Sequence, residues 1–396
     1  MALERSFIPY GGYYSTPFCR WQGALAQENS LALAAATAKR FLDQREIAAQ
    51  RIEALVLGYT VPQKHSFYGA PWVAGMMGLA HATGPTVSQA CATSVRALFT
   101  AALEVEAGER RAVLALCADR TSNGPHVLYP NPAAPGGRGD AEDPVWDNFN
   151  LDPYAKNAMI ETAENVAREA KISREEQDAI ALMRFQQYRD ALADDRAFQK
   201  KYLLPVELVR GKETAVVEAD EGVFPTTAEG LARLKPVVAG GTVTFGSQTH
   251  PADGNAAMIV GSREQAQSFS RDPKITVQIL GFGTARVKAG FMPMAVVPAA
   301  RAALERAGAA MGAVAATKTH NPFAVNDACF AREMGVKLEH VNRFGSSLVY
   351  GHPQGPTGIR AIAELIEELV VRGGGLGLFS GCAAGDTAMA VVLRVS

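Results

Sequence analysis

Two cysteines and two histidines stand in settings suited to chemistry. Cys91, in Val87-Ser-Gln-Ala-Cys-Ala-Thr-Ser94, sits where an extended run gives way to a helical pattern. A thiol at a helix N-terminus meets unpaired N–H groups and the positive end of the dipole, which favour thiolate and lower its pKa. Such a sulfur suits attack on a thioester carbonyl; the alternative is a small buried apolar cysteine, as free cysteine commonly is. His352 lies in Tyr350-Gly-His-Pro-Gln-Gly-Pro-Thr-Gly358, where three glycines and two prolines describe a fixed, non-helical loop. That loop can aim an imidazole at a cleft and let a ligand approach the backbone closely. The imidazole is a natural partner to take a proton from a cysteine, unless it is merely a turn histidine. Cys382, in Leu378-Phe-Ser-Gly-Cys-Ala-Ala-Gly385, reads either as a reversible acid/base or as core. His320, in Thr319-His-Asn-Pro-Phe323, can donate to a developing oxyanion, directly or through water, or simply order its loop.

The elements that must position these residues follow from periodicity. Glu53–Tyr59 and Arg111–Ala118 are short apolar runs of the kind found in buried strands. Between them, Ala92–Glu106 carries Val95, Leu98, Phe99, Leu103 and Val105 at helical spacing, and Gly108 is a suitable stop. Asn123–Asp152 is rich in Pro, Gly, Asn and Asp and is expected to be loop. A helix then opens on Ser173-x-x-Glu176, a capping box, with Ile180 and Met183 on its apolar stripe. From about 273 the alternation resumes: strand Ile275–Leu280, helices Ala295–Ala307 and Ala361–Arg372, strands Leu376–Ser380 and Ala388–Val395. This is the pattern of sheets covered by helices, an α/β protein. Neither Gly281-x-Gly283 nor Gly373-Gly374-Gly375 completes the strand–GxGxxG–helix context of a dinucleotide site.

Composition bounds the function. The 396 residues suggest two to three domain-sized units, and a net charge of -1 argues against a nucleic-acid footprint. No apolar stretch approaches the roughly 18–20 residues that span a bilayer, and the N-terminus has no apolar signal core. The five cysteines, at 19, 91, 117, 329 and 382, form no Cys-x-x-Cys pair. They fit free thiols in a reducing cytosol, with Cys19, Cys117 and Cys329 structural; the expected location is cytoplasmic. His126 and His250 are isolated and no spacing supports a metal site, so no metal is expected.

Taken in order, these segments resemble the thiolase family over nearly the whole chain. Ser15-Thr-Pro-Phe18 with Gly23-Ala-Leu-Ala26 is similar to the family's N-terminal segment, and Ala90-Cys-Ala-Thr-Ser94 to its nucleophile motif. Met159-Ile-Glu-Thr-Ala-Glu-Asn-Val-Ala167 and Ile172-Ser-Arg-Glu-Glu-Gln-Asp178 resemble its loop domain. Gly241-Thr-Val-Thr244 through Asp253-Gly254 resembles the segment that closes over the pantetheine, and His320-Asn-Pro-Phe323 stands where Asn-Glu-Ala-Phe is usual. Gly351-His-Pro-x-Gly355 and the strand leading to Cys382 complete the series.

The resemblance implies a five-layered αβαβα fold from two similar halves plus an inserted loop domain. Residues 1–120, completed by about 246–272, would form the first half, 121–245 the loop domain and 273–396 the second half. It implies a thiolase acting on 3-oxoacyl-CoA, in a homodimer or homotetramer, with coenzyme A as substrate and no separate cofactor. Cys91 would carry the acyl group, His352 would activate it, and Cys382 would protonate or deprotonate the acetyl-CoA carbon. His320 and His352 would hold the enolate oxygen, and the N–H groups of Cys91 and Ala384 a second oxyanion. Met159, Ser247, Thr249 and Phe323 would line the substrate. The alternatives are a related condensing enzyme with another acceptor or carrier, or a non-catalytic acyl-CoA-binding relative. The chain departs from the family at several points. His320 replaces asparagine, as in the sterol-carrier-type branch, and Pro322 replaces a small residue. Ala384 replaces a glycine, Ala158 a histidine, and no arginine follows Asp220-Glu221. The last departure leaves the CoA phosphates to other cationic groups.

Overall fold

The computed structural model describes residues 3–396. In the first half, β1 (Phe7–Ile8) precedes α1 (Ser30–Gln44), β2 (Ala54–Gly58), α2 (Ala70–Met76), α3 (Thr93–Glu106) and β3 (Ala112–Arg120). The apolar runs pair in parallel, Val56 opposite Ala115. Because side chains alternate across a strand, one strand serves two cores. Val56, Val113 and Ala115 face α3, whereas Leu55, Leu57, Leu114 and Leu116 face α1 and α2.

The middle region supplies α4 (Met159–Glu169) and α5 (Arg174–Ala191), and β4 (Ala252–Gly261) then returns to pair with β3. The second half runs β5 (Val277–Arg286), α6 (Val296–Arg306), β6 (Val314–His320), α7 (Ala324–Met334), α8 (Thr357–Val371), β7 (Gly375–Ala383) and β8 (Thr387–Val395). Hydrogen bonds link the strands in the order β6-β7-β8-β5-β1-β4-β3-β2, ending on Thr86–Val87. The two halves thus meet at the two-residue β1, where Phe7 lies opposite both Gly261 and Gln278. Val95, Leu98 and Val105 of α3 share one core with Ile362, Leu365 and Leu369 of α8 and with strand residues of both halves. Outer helices cover the far faces, α1 and α2 on one side, α6 and α7 on the other. That is the five-layered arrangement expected from the resemblance.

Several local expectations change. Leu103 is 38% exposed, because it lies off the buried stripe of α3. Asn123–Asp152 is loop but carries a small hairpin, Val127–Tyr129 with Asp140–Glu142, and a helical turn at Trp146–Asn150. Ser173 Oγ accepts the Glu176 N–H at 3.2 Å, yet the Glu176 carboxylate pairs with Arg332 instead of closing the capping box. The strand expected at Ile275–Leu280 starts at Val277 and continues to Arg286. Neither β4 nor β6 stands among the predicted strands. The second ends in Thr317-Lys-Thr-His320, a polar run that reads as surface but is buried through specific partners.

Gly281 and Gly283 lie inside β5, where they let α6 approach the strand. A Cβ on Gly283 would stand 2.0 Å from the Ala299 carbonyl oxygen. Gly283→Ala is therefore expected to destabilise the protein by about 1–3 kcal/mol, the range for overpacked interiors. Urea unfolding followed by circular dichroism tests this; an unchanged midpoint would show that α6 can yield.

Candidate active site

Cys91 closes a sharp turn. Ala90 takes φ +44°, a left-handed value uncommon for a residue with a side chain, and the first turn of α3 begins at Thr93. The backbone N–H groups of Ala384 and of Cys91 itself hydrogen-bond to the sulfur and favour its thiolate. Burial outweighs both and pushes the thiol up to about 11. The lowered pKa expected from the helix N-terminus is thus reversed. The thiol keeps its proton at neutral pH and donates it to Gln354 Oε1 at 3.3 Å.

The His352 loop is fixed from three directions. Its backbone N–H donates to the His250 carbonyl at 2.9 Å, and its carbonyl accepts the Ala252 N–H at 3.3 Å. Asp119, at the end of β3, accepts the Gly355 N–H at 2.8 Å together with the Thr60 and Val61 N–H groups. Burial lifts that carboxyl to about 7 despite these donors. Lastly, the imidazole Nδ1 lies 2.7 Å from Thr357 Oγ1 on the first turn of α8. His320, the last residue of β6, has Nδ1 2.8 Å from Ser347 Oγ.

Both imidazoles are buried, with ring centroids 4.1 Å apart, and Nε2 of each has no hydrogen-bond partner among the described residues. One donor atom from each of Cys91, His320 and His352 lies within 4.8 Å of the others. Burial lowers His320 to about 3; burial and the neighbouring His320 hold His352 well below the usual value. Both rings are therefore neutral at neutral pH. Among the described residues these three form the one such cluster of histidine, cysteine or carboxylate groups.

Cys382 lies in β7, fully buried, and its Sγ accepts a hydrogen bond from Asn326 Nδ2 at 3.2 Å. Burial lifts this thiol well above the usual range, with Cys91 adding to the rise. The other predicted residues take different positions. Met159 is half-buried at the start of α4. Ser247 is fully buried, its hydroxyl accepting the Thr244 N–H at 2.9 Å, so its side chain shapes the loop. Thr249 Oγ1 donates to the Ser347 carbonyl at 2.5 Å, and its N–H to the Pro322 carbonyl at 2.7 Å. Phe323 is buried and bridges to Gln248. Cys19, Cys117 and Cys329 are buried, as structural thiols should be.

Asp119, Asn326, Ser347 and Gln354 were not singled out in the sequence. Asp119 had a signal, being a carboxylate at the carboxyl end of a parallel strand, where sites gather in α/β sheets. Gln354 was visible as the polar residue in a Gly/Pro loop. Asn326 and Ser347 carried none. Together the groups supply a nucleophile, a neutral base, a second proton carrier and aimed N–H donors. These are the parts needed for acyl transfer through a covalent thioester. Alkylation of Cys91 by iodoacetamide in the free protein is expected to keep accelerating with pH beyond 9 towards about 11. A plateau below pH 8 would mean that the helix terminus outweighs burial.

The N-terminal domain of thiolase matches residues 12–264 and the C-terminal domain of thiolase residues 273–395. The chain is 30% identical to a probable acetyl-CoA acetyltransferase of Escherichia coli over 97% of its own length and 98% of that protein's. It is 31% identical to a beta-ketoadipyl-CoA thiolase of Pseudomonas knackmussii, covering 93% of this chain and 94% of the relative. Among solved structures, human mitochondrial 3-ketoacyl-CoA thiolase in complex with CoA superposes with a TM-score of 0.91 at 27% identity, over 100% of this chain and 99% of that one. With both thiolase domains matched in order and relatives spanning its length, this chain belongs to the thiolase family.

Proposed function

We propose that the chain is an acyltransferase that cleaves 3-oxoacyl-CoA with coenzyme A, or runs the reverse Claisen condensation, through an acyl-Cys91 intermediate. The observation that carries this reading is the meeting of the Cys91 thiol with two neutral imidazoles whose Nε2 atoms have no partner among the described residues. Cys91 attacks the 3-keto carbon, and its proton passes to His352 Nε2. The C2–C3 bond breaks, leaving the acyl group on sulfur and the electron pair in the enolate of acetyl-CoA. His320 and His352 donate to that enolate oxygen, and Cys382 delivers a proton to C2. Coenzyme A, deprotonated in turn by Cys382, attacks acyl-Cys91, whose oxyanion is held by the N–H groups of Cys91 and Ala384. The Cys91 thiolate leaves and regains its proton.

The Asn326–Cys382 hydrogen bond supports a working second thiol, since it favours the thiolate that abstraction requires. It weighs against a condensing enzyme that dispenses with this cysteine, and against a non-catalytic relative. Coenzyme A enters as substrate, with Met159, Thr249 and Phe323 placed about its pantetheine and Ser247 shaping the loop beside them. Residues 121–245 serve as the loop domain over the cleft, set between 1–120 (with 246–272) and 273–396. A homodimer or homotetramer in the cytoplasm completes the reading. The free cysteines support a reducing compartment, and among the described residues no helix is long and apolar enough to cross a membrane.

A thiolysis panel of 3-oxoacyl-CoAs of increasing chain length, read by loss of enolate absorbance, tests the proposal. Cys91→Ala is expected to abolish turnover, and mass spectrometry of the wild type to place the acyl group on Cys91. Cys382→Ala is expected to remove carbon–carbon chemistry while leaving Cys91 able to take an acyl group. An active Cys91→Ala variant overturns the reading. A Cys382→Ala variant with unaltered turnover redirects it to a condensing enzyme with another acceptor.

A further inference from the structure

The two imidazoles stand side by side, and the hydroxyl that meets His320 belongs to a closed network in which its hydrogen-bond direction can reverse. Ser347 Oγ lies 2.8 Å from His320 Nδ1 and 3.1 Å from Asn321 Oδ1, and it accepts the Asn321 N–H at 3.3 Å. The Asn321 amide is oriented by Asp327, whose carboxylate takes its Nδ2–H at 2.7 Å, so Oδ1 must face Ser347. That oxygen already has a second donor, the Leu348 N–H at 3.3 Å. Ser347 has one hydroxyl hydrogen and two acceptors competing for it. If the hydrogen goes to Asn321, Nδ1–H of His320 donates to Ser347, and a bare Nε2 lone pair faces the cleft. If it goes to His320 Nδ1, the imidazole carries its proton on Nε2, and an N–H faces the cleft. Neither arrangement leaves a group of this network unpaired, apart from His320 Nε2 itself.

We propose that the Ser347 hydroxyl is the tautomer selector of His320, donating to Nδ1 so that Nε2–H points at the enolate oxygen. Asn321, held by Asp327, is the acceptor that releases the hydrogen at no loss of its own pairing, because Leu348 remains. Ser347 touches no substrate; it is a positioning residue acting through His320. The inference rests on the oxyanion role proposed above for His320. It concerns the carbon–carbon step alone, because acyl exchange between acyl-CoA and coenzyme A forms no enolate. Ser347 Oγ is buried and its carbonyl is tied to Thr249, so loss of the hydroxyl leaves the backbone anchored.

The test is a double-mutant cycle between Ser347→Ala and His320→Asn, since asparagine donates through an amide that has no tautomer. In the wild-type background Ser347→Ala is expected to slow thiolysis, and deuterium exchange into acetyl-CoA, by about tenfold or more, as loss of an oxyanion donor does. Acyl exchange on Cys91 should be unchanged and Ser347→Thr should restore the rate. In the His320→Asn background Ser347→Ala is expected to have no effect on deuterium exchange. Nitrogen-15 shifts of His320 should show an Nε2-protonated ring in the wild type and a mixture of the two tautomers on Ser347→Ala. An equal loss in both backgrounds, or an Nδ1-protonated ring in the wild type, overturns the tautomer role. Full wild-type deuterium exchange in His320→Ala would instead overturn the oxyanion role of His320, which separates the two failures.

Discussion

Desolvation of four titratable groups in one cleft is the constraint around which the structure is arranged. Cys91, His320, His352 and Cys382 are all driven towards their neutral forms by burial. Each ring is pinned at Nδ1, His320 to Ser347 and His352 to Thr357, and the His352 loop is tied to β3 and to residues 250–252.

Buried ionic networks provide the pinning. Arg184 of α5 donates to Asp327 of α7 at 2.7 Å, and the same carboxylate receives Thr319 Oγ1 at 2.6 Å and Asn321 Nδ2 at 2.7 Å. The helical lobe inserted between the halves is thereby joined to the end of β6, where His320 sits. A second network runs from Asp220 through a bidentate pair with Arg360 to Glu364, and on to Lys318 in β6. Removing one partner of such a pair strands a charge in the interior, at a cost of about 3–5 kcal/mol. The networks also account for a lysine within a buried strand, since Lys318 donates to the Gly345 carbonyl at 3.0 Å besides Glu364.

The departures at Ala384 and Pro322 are accommodated by backbone rather than side chain. Ala384 precedes Gly385 at φ +77° and Asp386 at φ +59°, so the tight turn falls on the residues after it. Its N–H remains directed at Cys91. Asp386 anchors that turn by accepting the Gly290 and Phe291 N–H groups at 3.0 and 2.9 Å. Pro322 donates nothing, but its carbonyl receives the Thr249 N–H, which ties the Thr249 loop to the residues following His320. The exchange of asparagine for histidine is the deeper change, because a histidine needs its far nitrogen satisfied and a hydroxyl does so.

The sequence by itself determined β2, α3 and β3 of the first half, β5, α6, α8, β7 and β8 of the second, and the four residues whose settings looked chemical. Both are local properties: a strand's apolar run or a Gly/Pro-framed histidine is legible within ten residues. The strand β6 was not legible, because its buried run is polar and its partners lie in α7, in α8 and in residues 342–347. Only the tertiary structure decided the ionisation of Cys91. A helix start and a buried surround pull its pKa in opposite directions, and the surround comes from residues as distant as Gln354, 263 positions away. The partners of the two imidazoles were likewise undecided by sequence: Thr357 lies five residues from His352, Ser347 twenty-seven from His320. Hydrogen-bond direction in a buried network depends on every donor and acceptor it contains, and that count exists only once the chain has folded.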